Sequence, residues 1–296
     1  MKNNLNGQIF LRQNFLVALF FNTASIFLIM LAKAEFSYSQ SQVQVKTNRY
    51  LQVDQVRGTV IFRNQNVNRP ARNGDRLTNV GDQIITNGNS TATLTIDTGV
   101  GVVNVFENTL VRINALQITS DDGRVTSLQV PQGKVRLQIR KFTNVSSLFN
   151  LQTPAVVAGV RGTEYVVNVK DDGRTVLSTF EGAVQTEAQN TGVLVKSGFQ
   201  NQTIVGEPPS IPTPINENGK LSYQVLKLFE YDGRKVILEG NVDFANTVSI
   251  DGIEQNVDRN GRFRTVVATN SIYRNEILVT VSTPSGKRYI YQLLIY

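Results

Sequence analysis

The sequence predicts an all-β protein, and three observations predict it. Apolar and polar residues alternate at a period of two, as in Ala92, Leu94 and Ile96 opposing Thr91, Thr93 and Thr95, or Val135, Leu137 and Ile139 opposing Lys134, Arg136, Gln138 and Arg140. Turn signals recur about every ten residues, among them Asn73-Gly74, Asn87-Gly88, Asp122-Gly123, Gln132-Gly133, Asp172-Gly173 and Glu181-Gly182. Helical periodicity is absent from the larger unit, so its short strands must bury their apolar faces against one another.

The chain divides in order. Residues 1–34 read as an export signal: Lys2 and Arg12 give a basic start, Phe15 to Ala32 is uncharged, and Ala32-Lys33-Ala34 offers small residues for cleavage. The competing reading is an uncleaved membrane anchor, weakened by Asn22, Thr23 and Ser25. Either reading exports residues 35 onward, to the periplasm or cell surface. Residues 35–56 are polar and are expected to form a flexible leader. Residues 57–205 are the larger β unit. Residues 206–219 hold Pro208, Pro209, Pro212 and Pro214, half of the eight prolines in the chain, and predict an extended linker. Residues 220–296 form a second β unit, with expected strands at 235–238, 247–250, 263–268, 276–281 and 288–293 separated by Asp251-Gly252, Asn260-Gly261 and Ser285-Gly286.

Composition narrows the chemistry. The chain contains no His, Cys or Trp, which excludes Ser-His-Asp and Cys-His catalysis, His- or thiolate-bound zinc, iron–sulfur clusters and disulfides. The 30 basic and 23 acidic residues give +7, and removing Lys2, Arg12 and Lys33 leaves 27 and 23, or +4. That excess does not suggest nucleic-acid binding and permits only weak attraction to anionic envelope polymers. No catalytic residue, metal site or cofactor is expected.

A faint echo runs through the larger unit: Asp121-Asp122-Gly123-Arg124 is followed by Gly133-Lys134-Val135, and Asp171-Asp172-Gly173-Arg174 by Gly182-Ala183-Val184. Stacked rungs of a solenoid or rolled sheet would give this pattern, and so would independent hairpins.

The stretch Leu77 through Gly81-Asp82-Gln83-Ile84-Ile85-Thr86, with Gly133-Lys134-Val135, the run Thr153-Pro154-Ala155 through Arg161-Gly162-Thr163-Glu164-Tyr165-Val166-Val167, and Glu181-Gly182-Ala183-Val184, resembles the FecR domain. That resemblance implies a solenoid-like rolled β domain outside the cytoplasm, without known catalysis. In the namesake transducers it relays a signal from an outer-membrane receptor to a sigma factor. Those transducers carry a cytoplasmic helical domain before the membrane segment. Here only 14 residues precede Phe15, so the expectation is the stand-alone exported type and not sigma-factor control. The second unit, through Leu238-Glu239-Gly240-Asn241-Val242 and Asn260-Gly261-Arg262-Phe263, is similar to small bacterial immunoglobulin-like domains, which implies a seven-strand-type sandwich.

The residues of the FecR-like motif have a structural reading and a functional one. Thr153 and Pro154 can stop a strand, Gly162 can allow a bend, and Arg161 and Thr163 can satisfy freed backbone groups. Alternatively, Arg161 holds an anionic partner group. Lys134, Arg136, Arg140 and Lys141 form the densest basic cluster, suited to phosphate or acidic glycan but also to a solvated strand face. Asp121, Asp122, Asp171 and Asp172 read as hairpin turns rather than calcium ligands, because no calcium-loop pattern surrounds them. Gly99-Val100-Gly101 reads as a tight turn, since no helix comes after it. Glu164 and Glu181 could serve a glycosidase only if they faced each other across about 5 to 10 Å. Tyr289 and Tyr291 share a strand face and could stack on sugars or pack the sheet. Three functions are compatible with these residues: a non-catalytic binding or scaffolding protein of the bacterial envelope, whose partner is an envelope protein or an anionic glycan; a signalling partner of a membrane receptor; and a carbohydrate-active enzyme.

Overall fold

The computed structural model of the protein describes residues 49–230, 233–269 and 276–294. The export signal expected at 1–34 and the leader up to residue 48 lie outside the described residues. Every element described is a strand, turn or loop, as the alternation requires. Residues 51–56, expected within the leader, instead belong to the strand Leu51–Arg57, where Leu51 and Val53 are fully buried. A bulge between Val53 and Gln55 shifts the register there and breaks the alternation that would have revealed the strand.

Two sheets share the sixteen-residue strand Arg124–Ile139. Its first half pairs antiparallel with Thr109–Ile118 and parallel with Leu148–Gln152. Its second half lies antiparallel between Gly101–Val105 and Thr163–Val169 in the other sheet. The change of sheet falls at Pro131-Gln132-Gly133. Proline donates no ladder hydrogen bond, and Gly133 adopts φ 90° where a Cβ would meet the Thr109 Cα at 2.5 Å.

The first sheet continues outward through Thr91–Ile96 and Leu51–Arg57 on one side, and through Thr175–Glu181 and Phe199–Thr203 on the other. The second continues through Gln83–Thr86 and Val60–Arg63, and through Val157–Val160, Ala183–Ala188 and Thr191–Lys196. Their facing sides enclose one core, with Leu94, Leu137, Tyr165 and Val167 from the first sheet and Ile84, Leu128, Phe149 and Leu151 from the second. The two Asp-Asp-Gly-Arg copies are hairpin turns, one leading into Arg124–Ile139 and the other joining Thr163–Val169 to Thr175–Glu181.

Beyond residue 220 a three-stranded sheet (Ser222–Glu230, Gly233–Asn241, Arg262–Thr269) and a four-stranded sheet (Ile253–Gln255, Thr247–Ile250, Glu276–Ser282, Arg288–Leu294) enclose a second core that includes Leu238, Val248, Phe263, Ile277 and Val281. Asn48–Tyr296 forms one compact unit, so the two cores belong to one body. The C-terminal half rests on the outward face of the first sheet. Gln200 Nε2 donates to Asp243 Oδ1 at 3.0 Å, Gln202 Nε2 to the Arg259 carbonyl at 3.1 Å, and Arg174 to the Val257 carbonyl. Strands Thr163–Val169 and Thr175–Glu181 are therefore buried on both faces along most of their length.

The proline-rich segment is stitched down over part of its length. Ser210 N donates to Gln202 O at 2.9 Å, Thr213–Pro214 pairs with Phe199 and Gln200, and Ile215 N donates to Gly198 O at 2.9 Å.

Candidate functional site

The motif residues build the corner at which the chain leaves the second sheet for the first. Val157–Val160 ends in the second sheet, Thr163–Val169 begins in the first, and Arg161-Gly162 crosses between them. Gly162 has φ 135°, and a Cβ on it would lie 2.5 Å from the Lys141 Cα, so backbone runs against backbone at this point. Phe142 N donates to the Arg161 carbonyl at 3.1 Å and ties the crossing to the end of the long strand. Arg161 is exposed, and its Nε and Nη2 both donate to the Ser147 carbonyl at 3.3 Å.

Thr153 closes the preceding turn. Its Oγ1 accepts from Val156 N at 3.1 Å and from the Thr175 hydroxyl at 2.8 Å. Pro154 is exposed beside that turn. Thr163 is buried, and its hydroxyl makes no hydrogen bond.

The basic cluster is divided by the structure. Arg140 and Lys141 are exposed at the corner, and the Arg140 guanidinium lies against Gly99. Arg136 and Lys134 instead point into the seam beneath the C-terminal half, so they do not form a solvated face. Arg136 pairs with Glu164 and donates to the Ser285 carbonyl at 3.4 Å. Lys134 Nζ lies 5.3 Å from the Phe106 ring, and burial pushes its ammonium below the ordinary lysine range. A polar seam uses the same residue types as a wetted face, so alternation alone does not distinguish them.

The seam also contains residues outside every candidate site read from the sequence, although Arg174 lies in the second Asp-Asp-Gly-Arg copy. Asn168 Nδ2 donates to the Thr247 hydroxyl at 3.4 Å. Lys170, 7% exposed, has its ammonium pushed down to about 8 by burial. Arg174, 1% exposed, donates to Gln202 Oε1 at 3.1 Å and to the Val257 carbonyl. The available signal was the pair of double-apolar steps Val166-Val167 and Val176-Leu177, which place apolar residues on both faces of adjacent strands.

Glu164 and Glu181 are cross-strand neighbours, and Glu164 is committed to Arg136. Tyr289 and Tyr291 hold the end of the linker: their hydroxyls donate to the carbonyls of Glu217 at 2.6 Å and Gly219 at 3.0 Å. The Glu217 carboxylate accepts in turn from Thr283 Oγ1 at 2.6 Å and Ser285 N at 3.2 Å.

Residues 82–185, which run from the second sheet through the corner to the strand after Gly182, match the FecR protein family. No curated protein matches the chain. Crystal structures of a candidate anti-sigma factor from Parabacteroides distasonis ATCC 8503, at 2.50 and 1.65 Å resolution, share 16% identity with a TM-score of 0.38, over 45% of this chain and 59% of that one. A polysaccharide lyase shares 10% identity with a TM-score of 0.20, over 84% of this chain and 40% of that one. The chain thus spans less than two thirds of each of these proteins, and likeness at these levels carries no argument about function.

Proposed function

We propose that the chain is a non-catalytic binding or scaffolding protein of the bacterial envelope, exported and built on a stand-alone FecR domain with an immunoglobulin-like C-terminal module. The observation behind this reading is the FecR match at 82–185, which includes a corner whose residues serve the sheet crossing. Thr153 and Arg161 spend hydrogen bonds on the turn and on the Ser147 carbonyl, and Glu164 is held by Arg136. Arg140 and Lys141 are left on the surface at that corner, where they suit an anionic glycan or an acidic face of an envelope protein. The FecR match also favours a second reading, in which the same body is the periplasmic partner of a membrane receptor.

Sedimentation of the purified protein with isolated envelope fragments tests the proposal. The expected result is salt-sensitive co-sedimentation, weakened in Arg140→Ala/Lys141→Ala, with no release of soluble sugar. Release of reducing ends would overturn it in favour of an enzyme. Stoichiometric recovery with one membrane receptor, unaffected by those substitutions, would favour the second reading.

A further inference from the structure

We propose that the seam between the first sheet and the C-terminal half contains a site for a small oxyanion of the phosphate class, with Lys134, Lys170 and Arg174 as its cationic wall. The register brings them together: Lys134 lies opposite Asn168, Lys170 comes two residues later on the same outward face, and Lys170 N donates to the Arg174 carbonyl at 2.9 Å across the hairpin turn. Lys170 and Arg174 are buried and Lys134 is partly so, and neither lysine has a carboxylate within ion-pair distance among the described residues. Among the described residues neither lysine makes an ion pair or a side-chain hydrogen bond. Arg174 Nε is buried without a hydrogen bond and is ion-paired at 3.7 Å with the carboxylate of Asp172, whose side chain is exposed, so the lysines are the uncompensated members of the wall.

Five carboxylates and two further cations act on this wall. Glu254, on the strand Ile253–Gln255, acts on both lysines; Glu217 acts on Lys134, Asp171 on Lys170, and Asp172 and Asp258 on Arg174, while Arg136 and Arg288 add positive charge beside Lys134. None of these acids approaches a lysine closely enough to pair with it.

A buried ammonium without a partner is costly, and proteins keep such groups where a counter-charge compensates them. Two compact ammonium groups and a guanidinium N–H aimed into one seam suit a multiply charged oxyanion with several acceptor oxygens. The depressed Lys170 ammonium is what an uncompensated charge would show. Cover by the C-terminal half favours a free ion over the same group carried on a polymer. This inference goes beyond the envelope-binding reading and does not require it.

The test compares melting temperatures in millimolar inorganic phosphate, sulfate and chloride at matched ionic strength, low enough that general salt effects on hydration are negligible. Near ten times the dissociation constant, phosphate should raise the melting temperature by about 2 to 4 °C more than chloride does. Lys170→Met and Lys134→Met should each lose that increment, and Lys170→Met should melt no lower than the parent in chloride. Absence of an increment in the parent, or its survival in both variants, would overturn the site. Should Lys170→Met fail to fold, Lys134→Met and phosphorus NMR line broadening of phosphate with the parent decide the matter. Polyglycerol phosphate is the comparison for source: a response to the polymer without one to inorganic phosphate would overturn assignment to a free ion.

Discussion

The two faces of the first sheet are built from different chemistry. Toward the second sheet, Leu137, Tyr165, Val167 and Leu177 close an apolar core. Toward the C-terminal half, Arg136, Asn168, Arg174, Gln200 and Gln202 make a seam joined by side-chain hydrogen bonds, with Lys170 buried among them. Both faces are buried in the strand Thr163–Val169, and only one in Thr91–Ile96. Burial is therefore not a guide to apolarity: a polar face can be covered when its donors find acceptors, at a cost that stays small only while each pair is made.

The largest expected effect sits where the two sheets exchange the chain. Gly162→Ala forces a side chain into φ 135° and against the Lys141 backbone, which should cost about 3 kcal/mol. Gly74→Ala is the comparison, since Gly74 also has positive φ but a Cβ there would meet nothing. Urea unfolding should separate the two, and equal losses would mean that conformation alone, rather than the crossing, sets the cost.

The seam can be probed through pH. The Lys170 ammonium is lowered in the folded protein from 10.5 to about 8 by burial. The unfolded chain therefore holds more protons between those values, and stability should rise as pH is raised through about 8 to 10, by on the order of 2 kcal/mol. Burial raises the Tyr165 phenol, which keeps its proton in the folded state and so reverses the trend above pH 10. A flat profile between pH 8 and 10, measured without phosphate, would show that the seam is wet.

The smallest effect gives the sharpest contrast. Val167 faces the apolar core, and its neighbour Val166 faces the seam at 3% exposure. Truncation to alanine should cost about 2 kcal/mol at Val167 and between about 1 and 2 kcal/mol at Val166. A Val166→Ala protein within 0.5 kcal/mol of the parent, the range typical of surface changes, would mean that the C-terminal half does not cover this strand in solution.

Much of the fold was legible because one-sided burial writes itself as alternation: 91–96 and 134–140 read directly as strands, and 247–250 matches to the residue. The bulge at Val53–Gln55 hid the first strand, because one extra residue reverses the faces on either side of it. The corner at Arg161-Gly162 was legible as a bend, since glycine between strands has few other uses. The seam was not. Lys134 and Arg136 alternate with core residues whether water or another part of the chain lies above them, and nothing local to residues 134–176 names the segment, 79 to 149 residues away in sequence in these contacts, that covers them. Tyr289 and Tyr291 were legible as sharing a face, but their acceptors in the linker depend on how that segment returns across the sheet.

The shared strand Arg124–Ile139 has a consequence for the order of assembly. Its first half can pair early, because Thr109–Ile118 precedes it through a short hairpin. Its second half must capture Gly101–Val105 behind it and then wait for Thr163–Val169, which returns only after the chain has completed the hairpin 148–160 in the opposite sheet. Closure of the roll is thus a late event made from contacts distant in sequence, the class of topology that folds in milliseconds to seconds rather than microseconds. Until the corner at Gly162 forms, the 133–139 half of the strand presents an open edge bearing Val135, Leu137 and Ile139, and the rate of that step sets how long the nascent molecule can be captured by another chain.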